Sequence, residues 1–209
     1  MPRKRVSSTT LVAPRSLVIR PEQVNLLHRV GQGPHYPDNH LVKLAERFPS
    51  PQKLKTLEAD GFVPMPLPPV SLPLSRLMAM EDSLLEEDEW SVGKAERCLT
   101  TDMTGTAGWF ALYNGPVPRS LNQSWLEQIE WVQPEYECVP NVAQTVWAAR
   151  LLSEVCGVRP FEGIDVRTSS VTSLGWHVCV RVLDKYRFRI TACPDDERRK
   201  RLGLALIRF

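Results

Sequence analysis

The sequence predicts an α+β protein in which helices pack on a small antiparallel sheet in the C-terminal part. A basic, proline-rich N-terminal region of short helices and extended chain precedes this part. Two runs, 176–183 and 186–193, alternate apolar and polar residues, which is typical of half-buried strands in a hairpin. Upstream, 141–155 places apolar residues at helical spacing behind a capping residue. The 209 residues suffice for one good core, or for a core with tails.

Charge and proline content divide the chain into three predicted parts. Residues 1–20 form a flexible basic arm with five basic residues and no acid. Residues 21–76 are predicted as short helices and a proline-rich linker, and 77–209 as the α+β body. The prediction of a linker, or of an extension that lies along the surface of the body, rests on 64–73, where five prolines in ten residues favour polyproline II. The alternative is a ligand motif for SH3-like grooves, because a PxxP pattern begins at Pro66.

The spacing of apolar residues, caps and breakers predicts the elements in order. Predicted helices are 21–31, 41–48, 51–59, 77–90, 120–134 and 141–157, and further strands are 109–113, 161–168 and 204–209. Ser120 with Gln123 and Asn141 with Gln144 form capping-box patterns.

A further short helix is predicted after Pro194. Three acidic residues, 195–197, precede four basic residues, 198–201, which is the order that suits a helix dipole. Gly203 is expected to end this helix.

The register of the C-terminal hairpin follows from its two faces. A three-residue connection sets Val182 opposite Tyr186 and turns the apolar residues, beginning with Trp176, towards the core. A two-residue turn would mix polar and apolar side chains on both faces. The favoured register places Arg181 opposite Arg187, and like charges in this position require negative charge nearby.

Six arginines are therefore the candidate binding residues. They indicate a basic face for an anion or an acidic partner, and they are Arg181, Arg187, Arg189, Arg198, Arg199 and Arg201. Two other interpretations remain open: a solvated face, or a face that pairs with the protein's own acidic segment 81–89.

Charge segregation along the chain favours a binding function. Residues 1–60 carry ten basic and five acidic groups, 77–137 carry three and twelve, and 138–209 carry twelve and seven. A basic–acidic–basic chain is typical of internal charge pairing or self-association. We expect a non-enzymatic binding or assembly protein that acts through contacts with another protein or with a second copy of itself. Nucleic acid or anionic lipid are alternative partners for the basic face.

Catalytic, metal and cofactor sites are not predicted. His177 and Cys179 lie two apart on one strand face, about 6–7 Å from each other, which is beyond direct hydrogen bonding. A cysteine-dependent hydrolase or transferase is therefore only an alternative function. His28, His35 and His40 lack the cysteine pair that accompanies such histidines in many zinc sites.

The cysteines and the hydropathy pattern predict an intracellular protein, cytoplasmic or nuclear. Five cysteines without a CxxC spacing favour free thiols in a reducing compartment. No run of about 18 apolar residues is present, so no transmembrane segment is expected. The basic N-terminus lacks the continuous apolar stretch of a secretory signal.

The layout of a basic arm, an early proline-rich segment and a C-terminal α+β body resembles that of rhabdovirus matrix proteins. The resemblance concerns organisation only, since the sequence contains no PPxY motif. It implies, as an alternative function, a matrix-like or other structural virion protein that binds nucleoprotein or an anionic membrane.

Overall fold

The α+β fold class is confirmed. The computed structural model describes residues 18–20, 22–24, 36–79, 101–105, 108–183 and 187–209. Within these residues the helices are α1 (Asp38–Glu46), α2 (Pro51–Ala59), α3 (Leu74–Ala79), α4 (Trp125–Ile129) and α5 (Val142–Leu151). The strands are β1 (Phe62–Pro66), β2 (Trp109–Tyr113), β3 (Glu137–Cys138), β4 (Asp165–Val171), β5 (His177–Val182), β6 (Phe188–Cys193), β7 (Leu202–Leu204) and β8 (Ile207–Arg208).

These strands form two sheets of four rather than one. The first has the order β1-β2-β8-β3, and the second has the order β6-β5-β4-β7. Neighbouring strands are antiparallel except β4 and β7, which are parallel. The predicted terminal strand 204–209 is divided between the sheets, because β7 belongs to the second and β8 to the first.

Elements with strong local sequence patterns have the predicted positions. The bounds of α2 and β2 match the predictions. The cap of α5 is also confirmed, because the Asn141 side chain accepts a 2.8 Å hydrogen bond from the Gln144 backbone and the Gln144 side chain accepts one of 3.0 Å in return. Gly157, at φ 68°, follows the π-helical turn Leu152–Cys156.

The arm, the acidic segment and part of the first predicted helix lie largely outside the described residues. Residues 1–17 of the arm, 25–31 of the first helix and 80–90 of the acidic helix are in this category. Helix α3 contains the first positions of the predicted acidic helix.

The proline-rich segment is extended, as predicted, but its first half is neither a linker nor an exposed ligand. Residues 62–68 are buried, and Phe62–Pro66 pair along their whole length with β2. Proline is tolerated in β1 because this strand lies at the edge of its sheet. The indole of Trp147 in α5 donates a 3.0 Å hydrogen bond to the Pro66 carbonyl, and the Tyr36 hydroxyl donates one of 3.1 Å to the Leu67 carbonyl.

The predicted register of the C-terminal hairpin is wrong by two residues. Val182 lies opposite Phe188, so the connection has five residues rather than three. A shift of two preserves the face of every side chain, which explains why the pairing of apolar with apolar positions is right. Arg181 consequently faces Arg189 instead of Arg187. Trp176 precedes β5 and is 40 % exposed, contrary to its expected inward position.

One hydrophobic core links both sheets through α5. Nine of the ten residues of α5 are buried, which makes it a central helix rather than an amphipathic surface helix. Its apolar side chains share a cluster with Val63 and Leu112 of the first sheet and with Val166 and Val180 of the second.

The helix predicted after Pro194 does not form. Residues 194–201, here called the basic loop, contain turns but no helical segment. A helix would need the carbonyls of Pro194 and Glu197 as acceptors for backbone amides four residues later. The buried guanidinium of Arg167 donates to both carbonyls, and the Pro194 carbonyl also accepts a 3.2 Å bond from the Glu197 amide three residues later, as in a turn.

The cap of the preceding helix also differs from the prediction. Ser124 with Glu127 forms the capping box of α4, while Ser120 ends the 3-10 turn Pro118–Ser120. Tertiary contacts engage Ser120, whose hydroxyl accepts a 2.8 Å hydrogen bond from the Leu204 backbone. Both serines match the capping pattern locally, and the contact with β7 selects between them.

Gly203, expected to end a helix, lies in β7 at a close approach between segments. A Cβ atom built on Gly203 would be 2.9 Å from the Pro116 Cβ and 3.1 Å from a Leu121 methyl. Glycine is required here because the 3-10 turn crosses directly over the strand.

The substitution Gly203→Ala should destabilise the protein by about 1–3 kcal/mol through overpacking. Chemical denaturation monitored by tryptophan fluorescence measures the change. Ser71→Ala is a suitable control because Ser71 is only partly buried and has no close approach of this kind. An unchanged denaturation midpoint for Gly203→Ala would show that the turn and β7 separate without cost.

Candidate binding face on the second sheet

Strands β4 to β6 present one face to α5 and carry two of the six predicted arginines, Arg181 and Arg189, on the other. Paired residues on neighbouring strands point to the same side of a sheet. The face away from α5, here called the outer face, carries Asp165, Arg167, Val171, His177, Cys179, Arg181, Arg189, Thr191 and Cys193. The basic loop, α4 and the 3-10 turn cover it. Short polar segments, rather than a long apolar helix, therefore cover these charges.

Arg167 is fully buried at the centre of the outer face. Its Nη1 donates to the Gln123 carbonyl at 3.0 Å and to the Gln128 amide oxygen at 2.9 Å. Its Nη2 donates to the carbonyls of Pro194 at 2.8 Å and Glu197 at 2.7 Å. Burial of a charge is costly unless hydrogen bonds compensate it. Here neutral oxygens provide the compensation, and the guanidinium thereby fixes two covering segments on the sheet.

Arg167 is not among the binding residues predicted from the sequence. Its burial results from contacts with segments 27 to 44 residues away, which no local pattern reveals. One feature of the sequence could have identified Arg167. It follows Asp165 by two residues, which places both side chains on one face of the predicted strand 161–168.

Arg181 is neutralised inside the protein. Its guanidinium contacts both carboxylate oxygens of the buried Asp165, at 3.0 Å for Nε and 2.5 Å for Nη2. This bidentate ion pair supplies the negative charge that the facing Arg189 requires. The acidic segment 81–89, the other predicted source, lies outside the described residues.

Arg198 and Arg199 differ in their contacts. Arg198 is 56 % exposed and makes a 2.8 Å ion pair with Glu127, a surface contact of the kind that contributes at most about 1 kcal/mol. Arg199 points back towards the sheet, with Nε 2.8 Å from Glu197 and Nη2 2.8 Å from the Cys193 sulfur. Neighbouring cations of the loop thus face in opposite directions.

Three other cations lie at the surface. Lys200, Arg201 and Arg187 are exposed, while Arg189 is half-buried. The Arg201 carbonyl accepts a 2.9 Å hydrogen bond from the Asp165 backbone, which leaves its side chain at the end of an anchored loop. The structure therefore brings Arg181, Arg189 and Arg199 together around the outer face and places Arg187, Arg198 and Arg201 at its periphery.

His177 joins the start of the basic loop to α4. Its Nδ1 lies 2.6 Å from an Asp195 carboxylate oxygen, and its ring stacks on Trp125 at 3.7 Å between centroids. The Trp125 backbone amide donates a 2.7 Å hydrogen bond to the Asp195 carbonyl. These contacts give His177 and Asp195 a clear structural role in holding the loop.

Cys179 contacts the sulfur of Cys193 rather than the side chain of His177, the neighbour that its sequence position suggests. Its sulfur lies 2.6 Å from the Cys193 sulfur and 3.9 Å from the His177 backbone oxygen. Burial raises the pKa of Cys179 well above its ordinary value, which disfavours a nucleophilic thiolate at this position. The predicted register, with Val182 opposite Tyr186, implies that Thr191 lies opposite His177. In the structure Cys193 takes that position, which brings it close to Cys179.

The part of the chain that the structure describes contains no group of three or more His, Cys, Asp or Glu residues arranged for a metal ion. His28 and His35 lie outside it, and burial and nearby Lys43 lower the pKa of His40. Among the same residues, no helix has the length and apolar character needed to cross a bilayer.

Comparisons with protein-family models, with curated proteins and with solved structures gave no match. The geometry of the outer face is therefore the basis for the proposed function.

The substitution Arg167→Gln should destabilise the protein by about 2–4 kcal/mol, because it leaves buried backbone carbonyls without donors. It should also increase hydrogen exchange at the Glu197 and Leu202 amides, which bond within the basic loop. Denaturation and exchange mass spectrometry measure the two effects.

Arg159→Gln is the matched control. Arg159 makes an exposed ion pair with Glu162, so its loss should change stability by at most about 0.5 kcal/mol. Equal effects of the two substitutions, or unchanged exchange in the loop of Arg167→Gln, would contradict the anchoring role of Arg167.

Proposed function

We propose that the protein is a non-enzymatic binding or assembly protein that contacts an acidic protein partner through the basic loop. The observation that carries this proposal is the outward presentation of Arg198, Lys200 and Arg201 by a loop that is anchored from beneath. The other predicted arginines contribute less, since Arg181 is already paired with Asp165.

Anchoring favours binding because it reduces the entropy lost on association. Arg167 holds the backbone at Pro194 and Glu197, and Asp165 holds it at Arg201. Contacts from Asp195 to His177 and from Glu197 to Arg199 occupy two of the loop's acids. The outermost side chains are therefore mainly basic, and their backbone is already ordered.

A protein partner fits this surface better than a nucleic acid. The exposed cations of the basic loop form a small group, whereas nucleic-acid binders usually carry a basic surface large enough to contact many phosphates. The chain also carries twelve acids and three bases in residues 77–137, which disfavours a polyanion as large as a duplex. An acidic polypeptide requires fewer contacts.

The chain itself contains a polypeptide of the required chemistry. Residues 81–89 include six acidic residues and no basic residue. Charge complementarity between this segment and the basic loop makes a second copy of the chain the first partner to test. This is the self-association that the basic–acidic–basic order of charge favours.

A double charge reversal, Lys200→Glu with Arg201→Glu, should weaken binding of a fluorescent peptide that spans residues 81–90 by at least about tenfold at low ionic strength. Fluorescence anisotropy measures the affinity. Binding by the unaltered protein should also weaken as salt is raised, because about 0.1 M salt screens exposed charges beyond about 10 Å.

The control is Lys43→Glu with Lys55→Glu, which makes the same charge change at exposed positions of α1 and α2. Equal losses in the two double variants, or affinity that is independent of salt, would overturn the proposal. Phosphatidylserine vesicles and a short DNA duplex are further probes. Tighter binding to either would replace the acidic protein by a membrane or a nucleic acid.

A further inference from the structure

Cys179 and Cys193 form a pair of facing thiols on the outer face. Cys179 is paired with Thr191 and Cys193 with His177, so the two cysteines are diagonal neighbours on β5 and β6. Their sulfurs lie 2.6 Å apart, and both residues are buried in a small cluster with Leu202. One sulfur is therefore already positioned to attack the other once the latter has been oxidised.

The two thiols have different environments. The Cys179 thiol donates towards the Cys193 sulfur, and the Arg199 guanidinium lies 2.8 Å from the same sulfur. The hydrogen bond from Cys179, together with the positive charge of Arg199, lowers the pKa of Cys193 despite burial. Burial raises the pKa of Cys179. Cys193 is thus the thiol of the pair that ionises more readily, and Cys179 the one that keeps its proton more readily.

We propose that Cys179 and Cys193 are a redox-active dithiol that hydrogen peroxide converts to a reversible intramolecular disulfide. The Cys193 thiolate attacks one peroxide oxygen, the O–O bond breaks, and sulfenic acid and hydroxide form. The Cys179 sulfur then attacks the Cys193 sulfur, its proton leaves, and the sulfenic oxygen departs as water. Two electrons pass from the sulfurs to the peroxide, and a dithiol reductant returns them.

Access to Cys193 depends on one surface side chain. Arg199 covers its sulfur from the basic loop, and the Arg199 side chain is 43 % exposed. Oxidation of Cys193 requires that rotation of this side chain admit a molecule as small as peroxide. The same guanidinium stabilises the thiolate, so Arg199 acts as a positioning residue for the reaction.

The other described cysteines lack this arrangement. Cys138 in β3 and Cys156 in the π-helical turn are half-buried free thiols whose pKa is raised by burial. Neither should compete with Cys193 for a limited amount of oxidant. A structural metal is also disfavoured at the pair, because the described residues supply no third ligand of the His, Cys, Asp or Glu type there.

Peptide mapping of the full chain tests the proposal. The reduced protein is treated with less than one equivalent of hydrogen peroxide, the remaining thiols are blocked, and a non-reducing tryptic digest is analysed by mass spectrometry. The expected first product is a disulfide between the Cys179 and Cys193 peptides that dithiothreitol reverses. Preferential oxidation of Cys138 or Cys156, or sulfinic acid at Cys193 without a cross-link, would overturn the proposal.

Two variants test the assigned roles. Cys179→Ser should stop the reaction at the Cys193 sulfenic acid, which dimedone traps. Arg199→Gln should slow oxidation of Cys193 by at least about threefold through loss of thiolate stabilisation. Arg159→Gln is the control for charge, because Arg159 pairs with Glu162 at the surface rather than with a sulfur and should leave the rate unchanged.

Circular dichroism establishes that each variant is folded before its rate is measured. Equal rates for Arg199→Gln and the unaltered protein, or failure of dimedone to label Cys179→Ser, contradict the assigned roles. Mapping of the unaltered chain does not depend on any variant. Its result is also independent of the proposed acidic partner, since the readout is a covalent bond within the protein.

Discussion

The burial of one guanidinium constrains most of the polar half of this molecule. Arg167 lies in a central strand without a carboxylate at hydrogen-bond distance among its described contacts, and four neutral oxygens solvate it. Three of these are backbone carbonyls, so the chain around them must follow the geometry of the donor fork. Arg167 therefore fixes the path of the basic loop and the entry to α4, together with the contacts of Asp195 with His177 and Trp125.

The charges of the outer face are balanced mainly on adjacent strands. Arg181 and Arg189 face each other across β5 and β6, a pairing that is destabilising by itself. Asp165 on the next strand accepts hydrogen bonds from Arg181 with both carboxylate oxygens. Its carboxylate also lies 3.7 Å from the guanidinium of Arg199. Neutralisation from within explains why a sequence with six arginines in this region presents only part of that charge outwards.

Local sequence patterns predict the elements whose signals lie within one turn or one strand. The capping box at Asn141 and the helix that begins with Pro51 were predicted because side chain and backbone interact over three or four residues. Face alternation predicts the hairpin but cannot separate registers that differ by two, since both keep every side chain on its face. Composition does not reveal that the proline-rich segment is buried, because its burial depends on the distant Trp147.

Two different coverings explain why polar chemistry collects on one side of the second sheet. On the inner side, α5 packs its apolar side chains against both sheets, and its buried Arg150 is paired with Glu154 one turn later at 2.9 Å. On the outer side, α4 and the basic loop are short, and they expose backbone carbonyls and polar side chains towards the strands. Buried charge requires directed dipoles or hydrogen-bond donors. Short polar segments can supply these to the side chains of Arg167 and Cys193, whereas a long apolar helix cannot. The residues proposed for binding and for oxidation are consequently found on the side of the sheet that these short polar segments cover.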